Sequence, residues 1–209
     1  MNTPRVLVDC RSSGVADLRQ QWWARGLFTL FVLAPFGACT NLSIRAVWAT
    51  REATEPMSGA VHPGGVVGIA CDDWCAVYLA VDRPLEDVAH TYDRLYFVVR
   101  PCGGEDRDEI WSGRVFAASD AERRQFSEFS HLYKVYVPLD SGMMRRHAGY
   151  IWGLDPDALV KQAAESGFCC RLGGGNMMGG RLSSNEVRLP LAVEGDTVVL
   201  LAASPVMGM

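Results

Sequence analysis

Short runs of β-branched and aromatic residues, each closed by a turn, constrain the fold of this chain more than any other feature of its sequence. Residues 66–70 and 74–81 are separated by the turn signal Cys71-Asp72-Asp73, so we expect them to form a hairpin. Residues 132–137 and 184–193 alternate apolar with polar side chains, which predicts strands with one buried face. The other predicted strands are residues 92–100, 111–117, 168–172 and 197–202.

Two helices are predicted between these strands. Ser119 and Glu122 have the spacing of a capping box, in which the two residues satisfy each other's exposed amides. Asp155, Pro156 and Gly167 suit the cap, the first turn and the stop of a second helix. The sequence therefore predicts a mainly β domain, a sandwich or partly open barrel of antiparallel strands with two peripheral helices.

A different pattern occupies the amino-terminal part of the chain. Arg19 and Arg25 precede an apolar run, residues 27–38, that ends in small side chains. A basic stretch, a short apolar run and a small-residue exit are typical of an export signal. The run is shorter than the roughly 20 apolar residues that a helix needs to cross a bilayer.

The end of this run, Gly37-Ala38-Cys39, resembles the signal of bacterial lipoproteins, although Phe36 stands where that family usually has a smaller aliphatic residue. The resemblance covers roughly residues 18–39. It implies cleavage before Cys39, a lipid on its sulfur and acylation of the new amino terminus. Thr40, which is not aspartate, implies sorting to the outer membrane, facing the periplasm. The alternative is that residues 27–38 are a buried strand or helix of a cytosolic protein.

These signals divide the chain into three parts. Residues 1–38 are predicted to be a leader and signal segment. Residues 1–17 have no export pattern, which suggests a mis-assigned start, with Val15 or Leu18 as the true one. Residues 39–63 are predicted to be the lipidated cysteine and a tether, because their second half is rich in Thr, Glu, Pro, Ser and Gly. Within them, residues 42–48 alternate well enough for a strand, or equally lead into the tether. Residues 64–209 then form a single globular domain.

The charge balance disfavours some partners. The whole chain has a formal net charge of −4, and the segment before Cys39 has four arginines and two aspartates, or +2, which leaves −6 for the rest. Nucleic-acid binding depends on Lys and Arg, so no nucleic-acid partner is predicted. The same balance argues against a polybasic membrane-surface domain and suits a cationic partner.

The cysteines allow several states. Besides Cys10 and Cys39, they are Cys71, Cys75, Cys102, Cys169 and Cys170. In an oxidising envelope these candidates could form two disulfides and leave one thiol, with Cys71–Cys75 or Cys71–Cys102 as the expected bridge. Alternatively, some are small core residues. Since no histidine stands at ligand spacing beside them, no zinc site is predicted, and no other metal or cofactor is expected.

Residues 172–181 form a glycine-rich connection between two predicted strands. Its amides could cradle an anion, but it lacks the Gly-Lys-Ser/Thr ending of a P-loop. A hairpin tip that serves structure or touches a partner is the simpler interpretation, because exposed methionine adapts to irregular surfaces. The candidate partner-binding residues are Gly174, Gly175, Asn176, Met177 and Met178. The acidic residues 105–109 are a second candidate contact.

The sequence thus predicts a lipid-anchored binding protein of the cell envelope, without catalytic residues and with a protein partner. Immunity lipoproteins, which neutralise toxins from neighbouring cells, share this general design, although no residue motif supports the likeness. One alternative is a structural component of an envelope assembly. Another is an envelope hydrolase in which cysteine, acidic groups and His90, His131 or His147 meet in the fold. No Gly-x-Ser-x-Gly sequence supports the hydrolase.

Overall fold

Strands outnumber helices in this protein, as the short β-branched runs predict. The computed structural model describes residues 39–52, 60–61, 73–105, 107–152, 155–177, 179–195, 197–201 and 206–207. These residues form a mainly β fold with several antiparallel sheets and four helices, and the sheets do not close into a barrel. The predicted fold class is confirmed.

The elements follow one another in this order along the chain. The strands are β1 Cys39–Leu42, β2 Ile44–Glu52, β3 Trp74–Val81, β4 Arg94–Pro101, β5 Trp111–Gly113, β6 Val115–Ala117, β7 Leu132–Pro138, β8 Phe168–Gly175, β9 Arg181–Ser184, β10 Val187–Arg188, β11 Leu191–Glu194, β12 Thr197–Leu200 and β13 Val206–Met207. The helices are α1 Leu85–Ala89, α2 Asp120–Gln125, α3 Ser141–Trp152 and α4 Pro156–Ser166.

Two larger sheets and one small sheet make up the architecture. Sheet A has the order β1-β9-β8-β4-β5, with β10 also paired to β8, and sheet B has the order β13-β2-β3-β7-β6. Strands β11 and β12 form a separate two-stranded sheet. The β1–β9 pair is parallel, which departs from the predicted antiparallel arrangement. β1 is followed directly by β2, which belongs to sheet B.

Two segments pass from one sheet to the other. β1 continues through Ser43 into β2, and β5 continues through Arg114 into β6. At the first crossing Asp82 fixes the bend, because its carboxylate accepts a hydrogen bond from the Ser43 N–H at 3.0 Å. The Asp82 N–H also donates to the Ser43 carbonyl at 3.0 Å. These shared segments hold the sheets together around a common core.

The core is filled from both sheets and from the helices. Every residue of β3 is buried, as a continuous apolar run predicts for a strand covered on both faces. Phe97 of β4, Leu172 of β8 and Leu79 of β3 are fully buried in the same cluster, and Leu159 of α4 packs with them. Burying a side chain of this size contributes about 1.5–3 kcal/mol. The predicted partner of β3 in a hairpin, residues 66–70, lies outside the described residues.

Helices α2 and α4 confirm the two sequence predictions. In the capping box of α2, the Glu122 carboxylate accepts a hydrogen bond from the Ser119 N–H at 2.7 Å, and Ser119 Oγ accepts one from the Glu122 N–H at 3.3 Å. In α4, Asp155 Oδ1 accepts a hydrogen bond from the Asp157 N–H at 3.1 Å. Gly167 ends this helix with a φ of 88°, a conformation that favours glycine.

Helices α1 and α3 were not predicted from the sequence. The apolar side chains of Met143, Met144 and Ala148 are buried at helical spacing. Gly142 and Gly149 stand among them, and glycine lowers helix propensity, so the signal is weak in the sequence. Packing of the apolar side chains against the core stabilises this helix in place of propensity.

The predicted tether is wrong over its first half. Residues 39–52 form β1 and β2, and Ile44, Val47 and Ala49 of β2 are fully buried. The folded domain therefore includes residues 39–52, which precede its predicted start at residue 64. Within the rest of the predicted tether, Val61 donates a backbone hydrogen bond to the Val115 carbonyl at 2.7 Å. Residues 53–59 and 62–63 lie outside the described residues.

Among the helices that the structure describes, none is both long and apolar enough to cross a bilayer.

Candidate functional site

The glycine-rich segment forms the hairpin between β8 and β9. Gly174 and Gly175, predicted in a loop, belong to β8, and Gly175 pairs with Arg181 at the start of β9. A Cβ at position 174 would lie 2.6 Å from the carbonyl oxygen of Arg94, so only glycine permits this close approach of strands. The connecting loop is therefore only residues 176–180, which we name the hairpin tip.

Asn176 holds the hairpin tip together. Its Oδ1 accepts a hydrogen bond from the Gly180 N–H at 2.7 Å, and its Nδ2 donates to the Thr91 carbonyl at 3.0 Å. The Asn176 N–H donates to the Gly180 carbonyl at 3.1 Å, and the Gly179 N–H donates to the Asn176 carbonyl at 3.1 Å. The tip is thus braced against the segment that precedes β4.

The backbone amides of the hairpin tip are already in use. The Met177 N–H donates to the Asp93 carboxylate at 2.7 Å, and the other described amides bond within the tip. An anion cradle needs several amides directed at one ligand, so this geometry does not support one. The tip presents a side chain instead, because Met177 is 94% exposed. Met178 lies outside the described residues.

The outward side of sheet A carries a row of arginines. Along β4, the buried residues Leu95, Phe97 and Val99 point to the core, and the residues between them point outward. The strand register matches these outward positions with outward positions of the neighbouring strands. The arginine face, as we name it, consists of Arg94 and Arg100 of β4, Arg171 of β8, Arg181 of β9 and Arg188 of β10.

The arginine face is unevenly accessible. Arg94, Arg181 and Arg188 are exposed. Arg100 is held by Glu186, whose carboxylate accepts a hydrogen bond from Arg100 Nε at 2.6 Å. The sequence alone does not reveal this face, because it shows the alternation along each strand but not the register between strands. The acidic net charge also disfavours a basic surface.

The predicted lipidation site and the hairpin tip lie at the same end of sheet A. Cys39, the first residue of β1, pairs with Arg181, the first residue of β9. β4 starts beside Gly175 and ends at Pro101, and the acidic loop, residues 105–109, follows it. An extended strand of this length spans about 23 Å, so the acidic loop is at the far end of the sheet.

The acidic loop is organised by its own side chains. The Asp108 carboxylate accepts a hydrogen bond from the Glu105 N–H at 2.6 Å, and Arg107 lies 2.9 Å from the Glu105 carboxylate. Glu105 and Arg107 are exposed, while Glu109 turns inward and is buried. The loop therefore offers charged groups of both signs to solvent.

Glu109 belongs to a buried polar cluster with Ser112 and His147. His147, on α3, accepts a hydrogen bond at Nε2 from the Ser112 N–H at 3.1 Å. The same Nε2 lies 3.2 Å from Ser112 Oγ and 3.5 Å from Glu109 Oε1. In a serine-hydrolase relay the hydroxyl and the carboxylate hold different ring nitrogens. This cluster brings one predicted histidine to a carboxylate without that geometry.

The free thiols are poor nucleophiles. Burial raises the pKa of Cys75 to about 12 and holds the pKa of Cys170 far above its usual value. Both thiols are therefore protonated at neutral pH, whereas the thiolate is the reactive form. The cysteine chemistry that the hydrolase interpretation requires is not supported at these two positions.

Sheet B carries a second charged group on its outward side, which we name the ion-pair cluster. Lys134 Nζ lies 2.9 Å from Glu122 Oε1 and 3.3 Å from Glu52 Oε1. Tyr78 donates to Glu122 at 2.6 Å, and Tyr136 donates to Glu52 at 2.9 Å. Trp48, Phe126 and Phe129 pack beside this cluster.

Glu122 and Lys134 of the ion-pair cluster both keep their charges near neutral pH. Burial acts to raise the pKa of Glu122, but hydrogen bonds from Tyr78, Lys134 and Ser119 outweigh it and lower that pKa to about 2. Burial likewise acts to lower the pKa of Lys134, yet its hydrogen bonds to Tyr136 and Glu122 raise it above the usual value. General acid–base catalysis works best with a pKa near the operating pH, so this pair suits structure better than proton transfer.

The disulfide differs from the expected pairs. Cys102 is bonded to Cys169 with a Cα–Cα distance of 4.8 Å, which excludes the predicted Cys71–Cys102 bridge. Cys75 is a free, buried thiol, so the predicted Cys71–Cys75 bridge is also wrong. Cys170 is free and buried as well, and Cys71 lies outside the described residues. Proximity in the fold, across a sequence separation of 67, decides the pairing.

Within the described ranges, no group of three or more His, Cys, Asp or Glu side chains could hold a metal ion. No protein-family model, curated protein or solved structure matches the chain.

Proposed function

We propose that this protein is a lipid-anchored, non-catalytic binding protein of the cell envelope, attached to the outer membrane through Cys39 and facing the periplasm. The observation that carries the proposal is the sequence pattern that ends in Gly37-Ala38-Cys39: a basic stretch, a short apolar run and small residues before a cysteine.

The disulfide supports the compartment. Stable disulfides form in oxidising places such as the bacterial periplasm and are rare in the cytosol. Cys102 follows β4 and Cys169 lies on β8, at the acidic-loop end of sheet A, where their sulfurs are bonded. A periplasmic location accounts for this bond more simply than a cytosolic one.

The geometry of the polar groups supports binding over catalysis. Ser112 and Glu109 meet His147 at one ring nitrogen, and the Cys75 thiol is protonated at neutral pH. The charges of Glu122 and Lys134 are fixed near neutral pH. A hydrolase remains the second candidate because Ser112, His147 and Glu109 do meet.

The protein partner would bind at the acidic-loop end of sheet A. In a chain anchored through Cys39, this loop points away from the membrane, since β4 separates the two ends by about 23 Å. The body of the chain is acidic overall, which favours a cationic partner. A toxin delivered into the periplasm is one such partner, and the protein would then act as an immunity lipoprotein.

Lipid attachment is tested by expressing the full chain in a Gram-negative host with radiolabelled palmitate. We expect label on the protein, recovery with outer membranes and a mass that lacks residues 1–38. The matched Cys39→Ser chain should carry no label. A chain that keeps residues 1–38 and an unmodified Cys39 would refute the anchor.

Partner binding is tested by placing a photo-crosslinking amino acid at Asp108 in the acidic loop. We expect irradiation of intact cells to capture one predominant envelope protein or delivered toxin. The matched control carries the crosslinker at Lys161, an exposed position of α4. Equal capture from both positions would mean that the acidic loop is not the contact surface.

A further inference from the structure

The hairpin end of sheet A combines positive charge with an exposed apolar side chain. Arg94 and Arg181 each pair with Gly175, so they flank the hairpin tip from neighbouring strands, and both are exposed. Met177, in the hairpin tip that follows Gly175, is 94% exposed. Asp93, an acidic residue at this end, accepts a hydrogen bond from the Met177 N–H at 2.7 Å, so a carboxylate also lies beside the tip.

We propose that this end of the molecule binds anionic phospholipid headgroups, with Arg94 and Arg181 on the phosphates and Met177 at the boundary of the acyl chains. The inference rests on the proposed function, because the membrane concerned is the one that holds the lipid on Cys39. It assigns an occupant to the predicted partner-binding loop: a membrane surface in place of a protein.

Charge complementarity favours this occupant. Guanidinium groups bind phosphate oxygens through paired hydrogen bonds, and an apolar side chain between two such groups can enter the headgroup region. Asn176 and Asp93 brace the tip, so Met177 stays exposed without an ordering cost on binding.

The position of Cys39 in sheet A also favours a membrane surface as the occupant. The backbone of Cys39 pairs with that of Arg181, so the anchored residue enters sheet A at the same end as the tip. A lipid chain and a basic surface together form a two-part membrane signal. The lipid would supply attachment, and the arginines with Met177 would set the orientation.

The acidic loop does not oppose this contact. Electrostatic interactions at the surface decay over a Debye length of about 8 Å at physiological salt. The acidic loop lies about 23 Å away along β4, so its carboxylates are screened from the hairpin end. The net charge of the body disfavours a membrane-surface domain, whereas the arrangement of charges at the hairpin end favours contact with an anionic surface.

The test uses the full chain with Cys39→Ser, which cannot be acylated, so that binding is measured without the anchor. We measure its partition onto vesicles of phosphatidylcholine with and without phosphatidylglycerol at low salt. The Arg94→Gln/Arg181→Gln variant should bind the anionic vesicles about 25-fold more weakly, since each arginine near such a surface contributes about fivefold. The matched control, Arg107→Gln/Arg188→Gln, removes the same charge at the opposite end and should bind like the parent chain.

A second pair of variants tests the apolar contact. Met177→Ser should weaken partition several-fold, whereas Leu201→Ser, at the other large apolar side chain that is exposed among the described residues (46% exposed), should not. Circular dichroism and thermal unfolding of each variant confirm that the fold is kept. The leader is common to all chains, so differences between variants report the hairpin end alone.

Two outcomes would overturn the inference. One is equal loss of vesicle binding in the Arg94/Arg181 and Arg107/Arg188 variants, which would mean non-specific attraction. In the other, the Arg94→Gln/Arg181→Gln variant binds vesicles like the parent chain. In addition, it no longer captures an envelope protein that the parent chain captures through a crosslinker at Met177, which would make this end a protein interface. Neither result depends on acylation, so a failed palmitate experiment refutes the anchor and leaves this measurement interpretable.

Discussion

The outward sides of sheets A and B use charge in opposite ways. On sheet B, Lys134 is 14% exposed and lies between Glu52 and Glu122, so its charge is neutralised within the fold. On sheet A, Arg94 and Arg181 are exposed beside the hairpin tip, where their charge is presented to solvent. One set of charges is thus paired within the fold, and the other is presented to solvent.

The two sheets are also tied in different ways. Sheet A is cross-linked by Cys102–Cys169, whereas sheet B is held on its outward side by the ion-pair cluster and its aromatic neighbours. We therefore expect reduction of the disulfide to affect sheet A and acid to affect sheet B. The following experiments address that difference.

The largest effect should follow from removing the covalent tie. Cys102→Ser/Cys169→Ser opens a loop whose ends are 67 residues apart, which should lower the free energy of unfolding by about 4 kcal/mol. Urea denaturation followed by circular dichroism measures it. The wild-type chain with reductant is the matched control and should approach the variant. If the variant unfolds at the wild-type urea concentration, the bond contributes nothing to sheet A.

Replacing the central cation of sheet B should have the next largest effect. Lys134→Met leaves Glu52 and Glu122 without their ammonium partner, and we expect the free energy of unfolding to fall by about 2–3 kcal/mol. The control, Arg188→Met on sheet A, should change it by less than about 0.5 kcal/mol. Similar losses in both variants would remove the distinction between cohesive and contact charges.

Acid should weaken sheet B through Glu122. Its pKa in the fold, about 2, is below its ordinary value of 4.5, so the ionised carboxylate stabilises the protein above about pH 4.5. This contribution is lost as the pH falls toward 2, and with partial exposure we expect it to amount to about 1–2 kcal/mol. Urea denaturation of wild type and Glu122→Gln between pH 7 and pH 2 measures it. An equal pH dependence in both proteins would contradict the assignment.

The smallest effect concerns the brace of the hairpin tip. Asn176→Ala removes hydrogen bonds to Gly180 and Thr91 and should cost about 1 kcal/mol. Hydrogen exchange should accelerate at the amides of Met177 and Gly180, while β7 keeps its protection. Ser183→Ala on the neighbouring strand is the control. Unchanged exchange at the tip would mean that Asn176 does not hold it.

The elements set by local chemistry were predictable from the sequence. The apolar run of β3 and the capping box of α2 both have physical causes within a few residues, and the structure has both. The glycine-rich hairpin was also recognised, although Gly174 and Gly175 serve strand packing rather than the loop. Local patterns thus predicted the type of these elements better than their ends.

The features set by distant contacts were not predictable. The Cys102–Cys169 pair depends on the register of β4 and β8, and helix α3 depends on core packing around Met143 and Met144. The arginine face needs the same register across sheet A. The predicted tether included strand β2 because the alternation before residue 50 was compatible with both a strand and a linker.

The neighbouring cysteines of β8 have a consequence for assembly in an oxidising compartment. Cys169 and Cys170 are adjacent, so strand geometry directs their sulfurs to opposite sides of sheet A, and only Cys169 is in reach of Cys102. A bond from Cys102 to Cys170 would require β8 to slip by one residue, which would turn Phe168 and Leu172 from the core into water. The Cys102–Cys169 bond can therefore form only when β4 and β8 are correctly aligned, and a Cys102–Cys170 bond would hold the strands in the wrong register.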